Sequence, residues 1–454
     1  MSEASGTGYE LHAASGNLLE GLQESDALDR IQALLSDWLR IENMVILAGA
    51  GCSISQDGVA LTGLEQHVLD TVLDLGTDIP DLGKALDLVR ARKEAGSSAV
   101  GFETWLSSIA TAEHALSASG SLFQSVGARL GSEKAQLKST ELSALMATIS
   151  KIIVSRCSLT LPPFATDGPC GHHALVGKLV ARDPTLGRAH LFTVNYDLLW
   201  EAAADDLRVR YSTGFIGTVA PQFDSSAYAL DLYYPGDVAE GRVQRFDKFF
   251  HLYKLHGSVD WRRASHSQLL RADAQTLPRW TDWQGRSRSD KLDFLRGDTE
   301  DVVAILPTES KYLQSIGMPY AHLFRALDSH LKTAQTFFLI LGYGFGDEHI
   351  NRIIDEALTN PGLVLLIVDP YPPEQLSERL RRYQNAGERA FLLTRTCSDN
   401  KKPQRATFED FAVNVLPHVR WLDDYVRLRR VERLVREKPL GDKSDEASEG
   451  GDGP

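Results

Sequence analysis

The sequence predicts an α/β fold: a Rossmann-like parallel sheet with helices on both faces and a helical insertion after the first strand. Three observations carry this reading. Short apolar runs recur along the chain, among them "VILA", "HLFTV", "FHLYKL", "VVAIL", "TFFLIL", "LVLLIV" and "AFLL". Runs of that length suit strands buried on both faces. Helical or irregular segments separate them, as crossovers between parallel strands require. Finally, five of the runs end in glycine, Asn, Asp or His. Ligands of open α/β sheets bind at the carboxyl edge, where such ends gather.

Residues 1–25 are polar and aperiodic and are expected to be flexible. "DALDRIQALLSDWLR" follows, with Leu28, Ile31, Leu34, Leu35 and Leu39 near helical spacing, so residues 1–40 read as a flexible segment and a helix. The first strand, residues 44–48, opens a domain expected over 41–420. From about 61 to 156 the periodicity is helical, with Leu64, Val68, Leu69, Val72 and Leu73 on one face. Residues 262–300 are polar and charged and read as a second insertion. The remainder, 421–454, reads as an amphipathic basic helix and a disordered acidic tail.

Composition excludes some functions. The chain has 454 residues, 43% of them hydrophobic, and a formal net charge of -13. An acidic chain is a poor general binder of nucleic acid, since phosphate neutralisation draws on surplus Lys and Arg. No apolar run approaches the ~20 residues that span a bilayer, and no signal peptide is evident at the N-terminus. A cytoplasmic protein without membrane contact is expected. The cysteines Cys52, Cys157, Cys170 and Cys397 form no CxxC pair, so no zinc site of that type is expected. His172-His173 after Cys170 has no partner at ligand spacing, and no metal is expected there.

Chemistry concentrates at the strand ends. Gly49-Ala50-Gly51-Cys52-Ser53 follows the first run, and its glycines allow a tight turn and close approach to a ligand. The dinucleotide fingerprint asks for a third glycine where Ile54 stands, so this turn alone reads more readily as an ordinary corner than as a ligand turn. "TVNYD" brings Asn195 and Asp197, which read either as turn and cap chemistry or as a polar pair in a crevice. "KLHGSVDW" puts His256 at a strand end, where a histidine can exchange a proton near neutral pH, with Asp260 as partner or turn residue. "GYGFGDEHIN" is a second glycine turn, with Gly342 and Gly344, in which Asp347 and Glu348 suit the first turn of a helix. Asp369 ends "VLLIV".

The order "GAGCS", "TVNYDLLWE", "KLHGS", "LGYGFGDEHIN", "IVDP" resembles the sirtuin-like superfamily, and within it the bacterial antiphage-defence branch of NAD hydrolases. The resemblance implies that NAD is the substrate. Gly49, Ala50, Gly51 and Ser53 would line its phosphate and nicotinamide-ribose region. Asn195 would contact that ribose and place the attacking water, Asp197 the nicotinamide carboxamide, and His256 would be the catalytic histidine. Gly342, Gly344 and Asp369 would meet the phosphates or the adenosine ribose. The branch also implies homo-oligomers and a hexameric DNA-translocating ATPase partner. Deacylase members carry a four-cysteine zinc module after the histidine, whereas residues 257–341 contain no cysteine, and "QDGVALTG" stands where they have a "GIPxFR" segment. No zinc is therefore expected. NAD+ glycohydrolysis, which needs the NAD pocket and water alone, is the leading expectation. An NAD-dependent protein deacylase and a non-catalytic NAD or ADP-ribose sensor are the alternatives.

Overall fold

The computed structural model describes residues 8–96, 101–118, 137–234, 244–265, 268–297, 302–304, 319–370, 380–381, 383, 389–396 and 406–417. The helix and tail expected over 421–454, and Cys397, lie outside the described residues.

The main sheet has nine strands. In chain order they are β1 (Gly8–Ala13), β2 (Gly16–Asn17), β3 (Asn43–Ala48), β4 (Ala189–Thr193), β5 (Arg210–Ser212), β6 (Phe249–Lys254), β7 (Thr336–Leu341), β8 (Leu363–Val368) and β9 (Ala390–Thr396). Their spatial order is β2-β1-β9-β8-β7-β3-β4-β6-β5. From β9 to β5 every pairing is parallel. The chain builds outward from β3 through β4 and β6 on one side, then returns to lay β7, β8 and β9 on the other. The order thus reverses at β3, which creates a switch point between β3 and β7.

Burial on both faces explains the unbroken apolar runs. Met44, Ile46 and Ala48 of β3 join Phe337, Leu339 and Leu341 of β7 on one face. They pack against helices α1 (Glu24–Trp38), α6 (Gly171–Val180) and α7 (Leu199–Asp206). Val45, Leu47, Phe338 and Ile340 point to the other face, against α10 (Tyr320–Leu331) and α11 (Glu348–Ala357). No helix among the described residues is long and apolar enough to cross a membrane.

Two expectations need correction. The N-terminal segment is ordered from Gly8: β1 pairs antiparallel with β9, placing Tyr9 and Leu11 in the core. The alternation of those two apolar residues was the strand signal. The described part of "VVAIL", residues 302–304, lies outside the main sheet. It pairs antiparallel with Gly257–Ser265 in a second, five-stranded sheet. The apolar stripe of α1 packs on the sheet through Ala27, Ile31 and Leu35.

The expected helical insertion consists of α2 (Leu61–Leu75), α3 (Ala85–Ala95), α4 (Phe102–Ala118) and α5 (Ser139–Cys157). It does not stand alone. Two short helices of the second insertion, α8 (Trp280–Gly285) and α9 (Arg288–Arg296), put Trp280, Trp283, Leu292 and Leu295 into the same core. Polar ties reinforce this: Lys151 Nζ donates to the carbonyls of Leu295 and Gly297 at 2.7 and 2.6 Å, and Arg288 bridges Asp74 and Asp78. Two segments far apart in sequence therefore form one cap beside the sheet.

Candidate active site

A cavity of about 440 Å³ lies at the carboxyl edge of β3, β4, β6 and β7. Two walls enclose it. The sheet-edge wall carries Ala50, Gly51, Ser53, Asn195, Tyr196, Asp197, His256, Gly342, Gly344 and Asp347. The insertion wall carries residues 59–62 and Leu64 with Arg156, Cys157 and Leu159.

The two glycine turns are built against each other. Gly49 N–H donates to the Leu341 carbonyl at 2.9 Å and Gly51 N–H to the Gly342 carbonyl at 2.9 Å. A Cβ on Gly49 would stand 2.5 Å from Gly342 O, and one on Gly51 2.6 Å from Gly342 Cα. Gly342 itself has φ +56, the left-handed region that favours glycine. The first turn therefore needs its glycines for backbone contact with the second turn, where the sequence had suggested contact with a ligand. Gly49 lies beneath the cavity, outside its lining. Gly344 differs: a Cβ there meets nothing within 4 Å, and the residue faces the cavity.

Asn195, Ser53 and Asp197 form one buried chain. Asn195 Nδ2 donates to the Gly49 carbonyl at 3.0 Å and to Ser53 Oγ at 2.9 Å. Ser53 Oγ donates to Asp197 Oδ2 at 2.7 Å. Both carboxamide N–H groups of Asn195 are thereby engaged within the protein, which fixes the side chain and leaves Oδ1 as its acceptor. Asp197 also caps locally, accepting Leu199 N–H on Oδ1 at 3.2 Å. Burial pushes its carboxyl up from the ordinary value, while nearby Lys254 and the Ser53 hydroxyl pull it down. The cap and crevice readings of Asp197 are both right.

Two partners were not read from the sequence. Asp347 Oδ2 lies 3.1 Å from His256 Nε2. Its Oδ1 accepts His349 N–H at 2.9 Å and so caps α11. The residue expected as a first-turn acid is thus the cap of α11 and also the partner of the candidate histidine. A carboxylate beside Nε2 favours the ring form that carries a proton there. Lys254, the last residue of β6, is fully buried. Its ammonium donates to the carbonyls of Tyr196 at 3.3 Å and of Asp197, and stands 3.5 Å from Glu201. It pins the Asn195–Asp197 turn to the neighbouring strand. Nothing in "LYKL" marks it, because a lysine in a strand ordinarily faces water.

Other candidates fall elsewhere. Asp260 is buried and pairs with Arg271 Nε at 2.6 Å, not with His256. Asp369 ends β8 outside the cavity lining, and burial raises its carboxyl to about 6. Cys52 is buried with its thiol toward the Leu341 carbonyl at 3.4 Å, and burial raises it well above its usual value, which suits a packing residue. His172 packs against Trp200 and Phe408, and burial lowers it to about 3. His173 pairs with Asp206 at 3.0 Å. Among the described residues no group of three or more His, Cys, Asp or Glu is placed to hold a metal ion.

A fixed Asn–Ser–Asp chain, a His–Asp pair and interlocked glycine turns surround one cavity at a sheet switch point, where open α/β sheets bind ligands. The family comparison narrows this reading. A model of the SIR2-like domain matches residues 189–390, which is consistent with a member of the sirtuin-like superfamily. No curated protein matches the chain. The matched range holds Asn195, Asp197, His256, Gly342, Gly344 and Asp347. The first glycine turn precedes it in sequence, and the pairing of β3 with β4 and β7 brings it to the same cavity. The SIR2-like domain fits an NAD-utilising enzyme.

Proposed function

We propose that the protein is an NAD+ glycohydrolase: NAD+ and water give nicotinamide, ADP-ribose and a proton. One observation carries the proposal: Asn195 and Asp197 after β4 and His256 after β6 line one cavity with Ser53, which follows β3, and Asp347, which follows β7.

The chemistry follows from this arrangement. The bond between nicotinamide and ribose C1′ breaks, nicotinamide leaves neutral with the bonding pair, and positive charge develops on the ribose. Asn195, held by Gly49 and Ser53, orients the ribose and the water through Oδ1, an entropic contribution. His256 accepts the proton from the water as it adds to C1′. Asp347 steadies the imidazolium so formed, the role of an orienting carboxylate beside a histidine base. Asp197 meets the carboxamide of the leaving nicotinamide.

The bacterial antiphage-defence role, in which NAD+ is depleted, belongs to the same proposal, as do a homo-oligomer and a hexameric DNA-translocating ATPase partner. The test is incubation of the full chain with NAD+, with and without an acetyl-lysine peptide and the product of the adjacent gene. Nicotinamide and ADP-ribose in equal amounts, independent of peptide, is the expected result. O-acetyl-ADP-ribose formed with the peptide would identify a deacylase instead.

A further inference from the structure

The cavity's acids, Asp197 and Asp347, stand on the sheet-edge wall, and among the described residues the single Arg or Lys of its lining is Arg156 on the insertion wall. Arg156 is the penultimate residue of α5 and is only 5% exposed. Its guanidinium carbon lies 4.2 Å from the ring centroid of Trp280. Its Nη1 is buried without a hydrogen-bond partner. The carboxylate whose charge acts on it, Asp57, is already engaged by Trp280 Nε1. Burying an ion without a full partner is costly, and a cation–π contact offsets only part of that cost. A planar, preorganised guanidinium with an open N–H, set in the wall of a ligand cavity, is chemically matched to a phosphate.

We propose that Arg156 recognises the pyrophosphate of the dinucleotide, so that the helical insertion supplies the cationic contact of the substrate pocket. The proposal rests on the NAD reading. It gives the insertion a direct part in binding, and Trp280 of the second insertion holds the arginine in place from behind. The anion contact and the reacting groups thus come from opposite walls, and the pocket is complete when both are present.

The test compares two probes on the full chain: ADP-ribose, which carries the pyrophosphate, and nicotinamide riboside, which does not. Affinities are measured for wild type, Arg156→Gln and Arg156→Lys, with thermal unfolding recorded for each. The expected result is that Arg156→Gln weakens ADP-ribose binding about tenfold or more, the loss of one charge-assisted hydrogen bond. Arg156→Lys loses less, and nicotinamide riboside changes by less than about twofold in both. A purely structural arginine would weaken both probes alike. Parallel losses, or an unchanged ADP-ribose affinity, overturn the proposal and leave the NAD reading standing. A wild-type chain that binds neither probe overturns both. Should the Gln variant fail to fold, the Lys variant gives the same comparison.

Discussion

The two walls of the cavity are made in different ways. The sheet-edge wall is backbone-rich and rigid, with side chains fixed by bonds to neighbouring strand ends, such as Asn195 to Gly49 and Lys254 to the Asp197 carbonyl. The insertion wall is mostly apolar, belongs to a helical core of its own and contributes one cation. The first wall suits reacting groups, whose placement must hold to fractions of an ångström. The second suits recognition and exclusion of water. If this division is right, substitutions on the first wall act on turnover and those on the second on affinity.

The largest effects belong to the reacting groups. Asn195→Ala and His256→Ala should each lower kcat by about 10²–10⁴, with nicotinamide release as the readout. Equal losses of kcat in an insertion-wall variant such as Leu159→Ala would break the division. Next comes Lys254→Met. It leaves Glu201 buried without its cation and frees the 195–197 turn, so urea unfolding should show a loss of roughly 3–5 kcal/mol.

The glycine turns provide a paired test. A methyl on Gly51 meets backbone at 2.6 Å, while one on Gly344 meets nothing within 4 Å. Gly51→Ala should lose about 1–3 kcal/mol and Gly344→Ala less than about 0.5 kcal/mol. Gly344→Ala should instead act on substrate affinity, since its methyl enters the cavity. Equal stability losses would remove the distinction between a packing glycine and a lining glycine.

The smallest effect concerns histidines away from the cavity. Burial lowers His172 to about 3 and His251 and His330 to about 4, against 6.5 when unfolded. The unfolded chain therefore takes up protons first as pH falls. Stability should be full above pH 6.5 and decline as pH drops toward 4. Melting temperatures across that range check the slope, and His172→Phe should flatten it.

Much of the sheet-edge wall was legible in the sequence because parallel strands deliver their ends to one edge. Apolar runs locate the strands, and the residue after each run is placed almost without further information. Residues 49–53, 195–197, 256 and 342–344 were found in this way. The function of individual residues there was less legible. Gly49 and Gly51 answer to the Gly342 backbone, a contact between strands nearly 300 positions apart, which no local pattern encodes. Asp347 had a sufficient local role as a helix cap, which concealed its pairing with His256. The insertion wall was illegible for another reason. Arg156 near the end of a helix reads as a favourable charge for the helix dipole, and the ring that supports it comes from Trp280, in a segment set apart as a separate insertion. Alternation in Tyr9 and Leu11 was present and outweighed by the polar residues around it.

The most direct test is a time course of purified chain with NAD+, following nicotinamide and ADP-ribose for wild type, Asn195→Ala and His256→Ala, each with its folded state verified, with and without the proposed ATPase partner. The account predicts equimolar products from wild type and a loss of about 10²–10⁴ in rate for each variant. Wild-type turnover matched by both variants would contradict it.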